Sequence, residues 1–423
     1  MNVTVDVIVL RKWGLLQISV HQFDTKRRLQ EEPQCSYRPK CVAAKLSRCV
    51  DILSQDEQVA KQAVTVVGPV SIDARHLSFC FYQSELDTEW ELFKSTYGRN
   101  YTEKEESFRR QVWEKNLEFI NDQNLLYKEG KLSYYLEMND FGDMTDEEFK
   151  EMLNPKMSPP RIRRDTTTAT IFSNFSDPPK SIDWRRLGYM TPVRNQRRCG
   201  SCWAFSATGS LEGQLLRKTG KLVELSKQNL IDCSRFQGCN GGSAIGAFVY
   251  IKRNKGLVSE KCYPYVAKVN EATPCIASLE WAGQFCQDWG NKNKKCSYNK
   301  ECAVVKIKKH VVLPFGNEEI LRKTVATVGP VSVSVNARKP FIYYRGGIFV
   351  DSKCKPRYTN HALVLVGYGH ENQSTEENQN EEKKFWILKN SWGVAWGEKG
   401  YMRIAKDRNN HCGIATCAVY PIL

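Results

Sequence analysis

No apolar run in the 423 residues approaches the eighteen or so that a membrane-crossing helix needs. Only one Cys-x-x-Cys occurs, Cys199/Cys202 in "NQRRCGSCWAFS", so a four-thiolate zinc site has no second half. Arginine-rich helices and basic–aromatic interleaving are also missing, which removes the nucleic-acid reading that a net charge of +15 invites. The N-terminus, "MNVTVDVIVLRKWGLLQISVHQF", lacks a basic start, and Asp6 interrupts its short apolar run; it makes a poor signal peptide. Histidine is scarce, with six in all, so a catalytic base has few candidates.

Cysteine is abundant. Sixteen of them, outside any repeated metal-binding spacing, indicate disulfides formed in an oxidising compartment. Four N-x-S/T sequons, at Asn2, Asn100, Asn174 and Asn372, fit a secretory route. The charge is unevenly placed: residues 85–157 carry a net −8 and residues 178–423 a net +19, with +3 over 1–84 and +1 over 158–177. An acidic segment therefore precedes a strongly basic domain. Their attraction should be present at neutral pH and fade as carboxylates protonate toward about pH 4–5.

Along the chain, Glu106, Arg110, Trp113, Asn116, Ile120 and Asn124 recur at steps of three and four, so one helix face carries all six. An ordinary amphipathic helix accounts for Trp113 and Ile120. Two asparagines and an arginine on the same face point instead to a polar docking surface. Residues 158–177, within "MSPPRIRRDTTTATIFSNFSDPP", read as an exposed linker open to proteolysis. A new domain begins at residue 178. Helical spacing over 202–218 puts Ala204, Ala207, Leu211 and Leu215 on one stripe, with Gly220 closing the helix. After residue 300 come strands, in "VVKIKKHVVLP", "GPVSVSVNA", "HALVLVGYG", "KFWILKNSW" and "YMRIA". Helices before strands argue for an α+β domain of two lobes. Residues 1–84 hold a partial repeat: "CSYRPKCVAAK" from Cys35 matches "CSYNKECAVVK" from Cys296, and "AVTVVGPVSIDARH" matches "TVATVGPVSVSVNARK". This reads as a truncated duplicate of the second lobe, without an independent fold.

A catalytic cysteine needs a base to make its thiolate, and the base needs an orienting partner. Cys202 at a helix start has the positive end of the helix dipole beside it. Among the histidines, His361 opens the most apolar strand, which sets its ring at a rigid sheet edge. His310 between lysines reads as a surface residue, His370 as part of a polar loop, and His411 adjoins Cys412; His21 and His76 lie in the N-terminal stretch. Asn390 in "WILKNSWG", flanked by Trp392, is placed to hold His361. Gln196, six residues before Cys202, offers a side-chain donor to an oxyanion beside the Cys202 backbone N–H. Spacing alone leaves a redox reading of Cys199/Cys202 open.

"CGSCW" resembles the papain/cathepsin signature, which has His and Asn downstream; here they follow Cys202 by 159 and 188 residues. The helix carrying Glu106 to Asn124 resembles the ERFNIN motif of a cathepsin L-type propeptide, with Trp113 in the place of Phe. "NDFGD" resembles the later propeptide motif through Asn139, Phe141 and Asp143, with Glu137 where the family has Gly. "GCNGG", "NHALVLVGYG" and "NSWGVAWGEKGY" follow in family order. Over residues 85–423 the chain is thus similar to a proenzyme of the cathepsin L group of papain-like cysteine proteases.

That resemblance implies a papain-like fold of a helical lobe and a β-barrel-like lobe with the active site in the cleft, at residues 178–423. It implies a helical inhibitory propeptide at 85–157 and an activation linker at 158–177. Cys202 would be the nucleophile of a cysteine endopeptidase, with His361, Asn390 and Gln196 as its partners. The implied bridges are Cys199–Cys239, Cys233–Cys296 and Cys354–Cys412. Implied substrate contacts are Gly241, Gly242, Ser243, Ala244, Ser334, Thr359, Asn360, Trp392 and Cys417. The family further implies no cofactor or metal, protein and peptide substrates, cystatin-like inhibitors, a monomer, and a lysosomal or secreted location.

Two insertions lengthen the spacing. "VNEATPCIASLEWAGQFCQDWGNKNKK" carries Cys275 and Cys286, a candidate pair, and "ENQSTEENQNEEKK" at 371–384 reads as an acidic loop; both should be surface excursions. The rival function is a non-catalytic one, a pseudoenzyme or a propeptide-type inhibitor. It would show as the loss of a catalytic residue, and none is lost. A transglutaminase-like acyl transferase also uses Cys and His, but usually with Asp as the third residue and without this propeptide.

Overall fold

Good helix formers dominate the chain up to about residue 260 and β-branched residues the part after 300, and a computed structural model of the chain follows that division. It describes residues 10–12, 15–17, 74–153, 177–234, 238–268, 296, 298–375 and 378–423. Most of the N-terminal repeat, the activation linker, and the insertion with Cys275 and Cys286 lie outside the described residues. No described helix is long and apolar enough to cross a membrane. The chain divides into two units, residues 1–110 and 111–423.

In the first unit, β1 (Leu10–Lys12) pairs antiparallel with β2 (Leu15–Gln17). Helix α1 runs from Ala74 to Tyr97, starting ahead of Glu85, and α2 begins at Glu103 and extends to Lys128. The indole of Trp90 stacks on Phe93 and Tyr101 at 5.5 and 5.8 Å and donates to Glu106 at 2.7 Å, while Lys94 reaches the same carboxylate at 2.6 Å. Arg110 pairs with Asp87 at 2.5 Å. Burial pushes the Glu106 carboxyl up, but the hydrogen bonds from Lys94 and Trp90 outweigh it and leave the group below its ordinary value.

In the second unit, the remaining turns of α2 bury Trp113, Asn116 and Ile120. The two asparagines of that face act as clamps on non-helical backbone. Asn116 Nδ2 donates to the carbonyls of Gly142 and Met144, and Asn124 exchanges two hydrogen bonds with the backbone of Leu136. The held segment contains β3 (Tyr134–Leu136) and α3 (Asp146–Met152), the latter opened by a Thr145/Glu148 capping box.

The helical lobe follows: α4 (Cys202–Thr219), α5 (Lys227–Cys233) and α6 (Ala244–Arg253), then the short pair β5 (Leu257–Val258) and β6 (Ala303–Val305). Its core holds Trp203, Ala204, Ala207, Leu211, Leu215 and Phe248. Gly220, in the left-handed conformation, caps α4. The other lobe contains β4 (Ile182–Asp183), β7 (Lys309–Val312), α7 (Glu318–Val328), β8 (Val331–Val335), α8 (Lys339–Ile342), β9 (Tyr344–Phe349), β10 (His361–Thr375), β11 (Asn378–Lys389), β12 (Tyr401–Ala405) and β13 (Val419–Ile422). Its strands run in the order β3-β9-β12-β11-β10-β8-β13-β7, with β4 beside β10.

Two sequence expectations change here. The described parts of 371–384 are strand: β10 runs on to Thr375 and β11 starts at Asn378, antiparallel, with Glu371 opposite Lys383, an opposite-charge pair that supports pairing where composition alone suggests a loop. His310 is not a free surface side chain either: its half-buried ring lies 6.3 Å from Phe248, and burial lowers its pKa.

Disulfides join Cys199 to Cys239, Cys233 to Cys296 and Cys354 to Cys412. His411 lies close to the third, but both sulfurs there are spent on the bridge and offer no thiolate pair to a metal. Cys199→Ala should lower unfolding free energy by about 2–5 kcal/mol, since it opens the bridge at the start of α4. Urea denaturation of the proenzyme reads this directly, and a loss below about 0.5 kcal/mol would mean that the bridge adds nothing.

Candidate active site

Cys202 is the first residue of α4, a helix buried along most of its length because it packs against β10 of the other lobe. That contact needs a residue without a side chain at Gly209: a Cβ there would stand 2.6 Å from Val364 Cγ2. Ser206 bonds to the Leu363 carbonyl and to Ser332 Oγ, pinning helix to strand. The result brings the start of α4 to the start of β10. The backbone N–H of Ala362 donates to Cys202 Sγ at 3.4 Å, and its neighbour His361 lies in register with Val335 of β8.

His361 Nε2 is 2.8 Å from Asn390 Oδ1, and that same oxygen accepts from the Ser391 N–H at 2.8 Å. The backbone donor identifies the Asn390 atom as the oxygen, so Nε2 must carry the hydrogen. Nδ1 is left with its lone pair and has no hydrogen-bond partner among the described residues. The Trp392 indole covers the imidazole at 4.5 Å between centroids.

Gln196 is fully buried. Its Nε2 donates to the Cys199 carbonyl at 2.9 Å, and its Oε1 accepts from Ser391 Oγ at 2.5 Å, which leaves one amide hydrogen uncommitted. Tyr265, which the sequence reading passed over, supports this wall: its hydroxyl donates to the Gln196 carbonyl and lies 2.7 Å from Ser201 Oγ.

Cys202 and His361 are both fully buried in this state. Burial pushes the Cys202 thiol up to about 11, against the pull of the Ala362, Trp203 and Cys202 N–H groups. Burial likewise pulls the His361 imidazole down to about 4, opposed only by its bond to Asn390. Both shifts favour the neutral pair.

The cover comes from the segment held by α2. Strand β3 pairs antiparallel with β9, Tyr134 opposite Gly347 and Tyr135 opposite Gly346. Gly347 has φ +90°, and a Cβ on it would meet the Ser133 carbonyl at 2.4 Å, so a side chain there is incompatible with the pairing. Asn139 Nδ2 donates to the Ile342 carbonyl at 2.9 Å and its Oδ1 accepts from Phe141 N at 3.0 Å. Phe141 and Phe149 stand edge-on to Trp392 at 5.2 and 5.7 Å. Glu137, where the resembled motif has Gly, pairs with Arg345 at 2.7 Å. Asp143 is fully buried.

Of the remaining expected contacts, Ser334, Thr359 and Cys417 lie together: burial pushes the half-buried Cys417 thiol up, opposed by the nearby Ser334 and Thr359 side chains. Asn360 exchanges two hydrogen bonds with Ala337. Ser243 caps α6, whose first residue is the buried Ala244, and Gly241 and Gly242 precede it, Gly242 lying under the Trp203 ring.

A buried charge cluster next to Asn390 was also missed. Lys389 Nζ donates to Thr191 O at 2.6 Å and Thr191 Oγ1 donates to Glu212 at 2.7 Å, while Lys227 lies within 3.7 Å of Glu212. Burial lowers Lys389 to about 8. The signal was a lysine in an apolar strand, which periodicity treats as noise.

Comparison with known proteins gives the following. Residues 178–422 match the profile of papain family cysteine proteases, and residues 90–149 that of the cathepsin propeptide inhibitor domain. Cathepsin L2 of Homo sapiens is 46% identical over 348 residues, covering 80% of this chain and 93% of that protein. Procathepsin L of Mus musculus is 44% identical over 350 residues, 81% of this chain and 94% of its own length. Among solved structures, digestive procathepsin L 3 from Tenebrio molitor larval midgut matches with a TM-score of 0.66 at 35% identity, over 80% of this chain and 99% of that one.

Proposed function

Because the chain belongs to the papain family of cysteine proteases and carries that family's cathepsin propeptide, we propose that it is a cysteine endopeptidase made as a zymogen, with Cys202 as nucleophile and His361 as base. The observation that carries the reading is the His361–Asn390 bond, which leaves Nδ1 free to take the thiol proton. With water readmitted, both pKa shifts relax and the thiolate–imidazolium pair forms. The thiolate attacks the peptide carbonyl, whose oxyanion takes hydrogen bonds from the Cys202 N–H and the uncommitted hydrogen of Gln196 Nε2. His361 returns its proton to the leaving amine, and water then hydrolyses the acyl-enzyme. Asn390 keeps the imidazole in one tautomer throughout.

Substrate choice rests on the pocket for the second residue before the cut, which the family resemblance lines with Gly242, Ser243, Ala244, Ser334, Thr359 and Cys417. Those side chains are small and carry no charge, so Leu, Val or Phe should be accepted and Arg rejected. The test is a fluorogenic dipeptidyl amide library, incubated with reductant at mildly acidic pH. Hydrolysis with an apolar preference at that position is expected; an Arg-dominated profile would overturn the pocket, and no hydrolysis after propeptide removal would overturn the enzyme. The same reading places the protein in the lysosome or outside the cell, as a monomer open to cystatin-like inhibitors.

A further inference from the structure

Three of the described cysteines besides Cys202 are unbridged, and two of them are neighbours. Strands β5 and β6 pair with Leu257 opposite Val305 and Val258 opposite Ala303. Beyond β5 the chain turns, with Cys262 N–H bonded to the Ser259 carbonyl and hydroxyl at 3.1 and 3.3 Å. Just ahead of β6 a second tight turn bonds Cys302 N–H to the Asn299 carbonyl at 3.2 Å. Both turns sit at the same end of the ladder, which brings the two cysteines together; burial first, and then the neighbouring Cys262, push the Cys302 thiol up. Cys262 is exposed and Cys302 half-buried.

We propose that Cys262 and Cys302 form a further disulfide of the catalytic domain beside the three among the described residues, one that opens and closes with the redox state of the surroundings. The three bridges of the same domain require an oxidising environment for their formation, and that environment meets an adjacent thiol pair at its surface. The oxidant is a small-molecule disulfide. Cys262, the accessible thiol, loses its proton and attacks it, releasing one external thiol and forming a mixed disulfide. Cys302 then loses its proton and displaces the second external thiol. Two protein S–H bonds and one external S–S bond are consumed; one internal S–S bond and two external thiols result. Exposure of Cys262 makes the bond the first among those of the described residues that a reductant reaches.

Its consequence lies in what the 262 turn carries. Three residues on, Tyr265 contacts Gln196 and Ser201, and Val266 N–H donates to Gln228 at 3.0 Å. A bridge between the turn and β6 holds this support in place from the outer side.

The test is non-reducing peptide mapping of the full proenzyme secreted from an oxidising host, with free thiols alkylated before digestion. A Cys262–Cys302 linked peptide is expected, and it should be lost first as dithiothreitol is raised, before the three other bridges. Both cysteines alkylated while those three stay closed, or either one joined elsewhere, overturns the proposal. Cys262→Ser and Cys302→Ser should each lower the unfolding midpoint by on the order of 5–10 °C, with the double variant no lower. Mild reductant should impose the same shift on the wild type and none on the variants; a shift of equal size in the variants would equally overturn it.

Discussion

Hydrolysis of a dipeptidyl amide by Cys202→Ala is expected to fall by about 10⁴-fold or more, since loss of a nucleophile leaves only oxyanion stabilisation and binding. Stability should barely follow. The side chain accepts one long hydrogen bond, from Ala362 N–H at 3.4 Å, and its loss should move the proenzyme midpoint by about 2–4 °C at most. A companion result separates latency from chemistry. With the thiol pushed up to about 11 in the closed state, roughly one molecule in 10⁴ carries the thiolate at pH 7, so iodoacetamide should label Cys202 slowly until the propeptide leaves. Substantial residual activity in the alanine variant, or active-site labelling at a different cysteine, would remove Cys202 from its role.

The second large effect separates packing from charge as the force that keeps the zymogen shut. The opposition of −8 and +19 along the sequence suggests an electrostatic latch. In the structure the ion pairs from residues 111–153 to the catalytic domain include Glu137–Arg345 and Asp146–Lys339, all four side chains substantially exposed. Pairs of that kind contribute about 0–1 kcal/mol each. Against them stand the β3–β9 ladder, the Asn139 clamp and the Phe141 and Phe149 rings on Trp392. Phe→Ala at a buried site costs about 3–5 kcal/mol, so Phe141→Ala should raise the leak activity of the proenzyme at pH 7 by roughly 10²- to 10³-fold. Molar salt should raise it less than about tenfold. The reverse ranking would restore the electrostatic account.

The pH dependence has a defined sign in one place. Glu106 has a depressed folded value, so the stability it adds is whole above the ordinary glutamate range and lost only as pH falls through that lower value. Its cluster with Trp90 and Lys94 should therefore persist to lower pH than an unpaired glutamate would allow.

Much of this site could be read in advance where chemistry and local periodicity coincide. The stripe Ala204–Ala207–Leu211–Leu215 predicts α4, and the apolar run after His361 predicts β10; both follow from near neighbours in the chain. The spacing of Asn116 and Asn124 announces a polar docking face, but what they grip is invisible: the backbone of Gly142, Met144 and Leu136 becomes an acceptor surface only after the chain folds back. Strand β3 was equally out of reach. Three residues carry no period, and the partner that makes them a strand lies some 200 positions away. The strand ladder within 371–384 was misjudged because polar composition was read as a loop, whereas its pairing rests on register.

Removal of the propeptide has a consequence for solubility. With β3 gone, β9 becomes the outermost strand of its sheet, and the backbone groups around Gly346 and Gly347 stand open to any other extended chain, a second copy of the enzyme included. Arg345 lies in that strand, anchored by its bonds to the Ala395 and Gly397 carbonyls, and loses Glu137 at the same moment. An unpaired guanidinium fixed on a bare edge repels an identical edge approaching it. A residue whose exposed pair with Glu137 adds little to closure thus acquires, after processing, a bearing on how the bare edge meets a copy of itself.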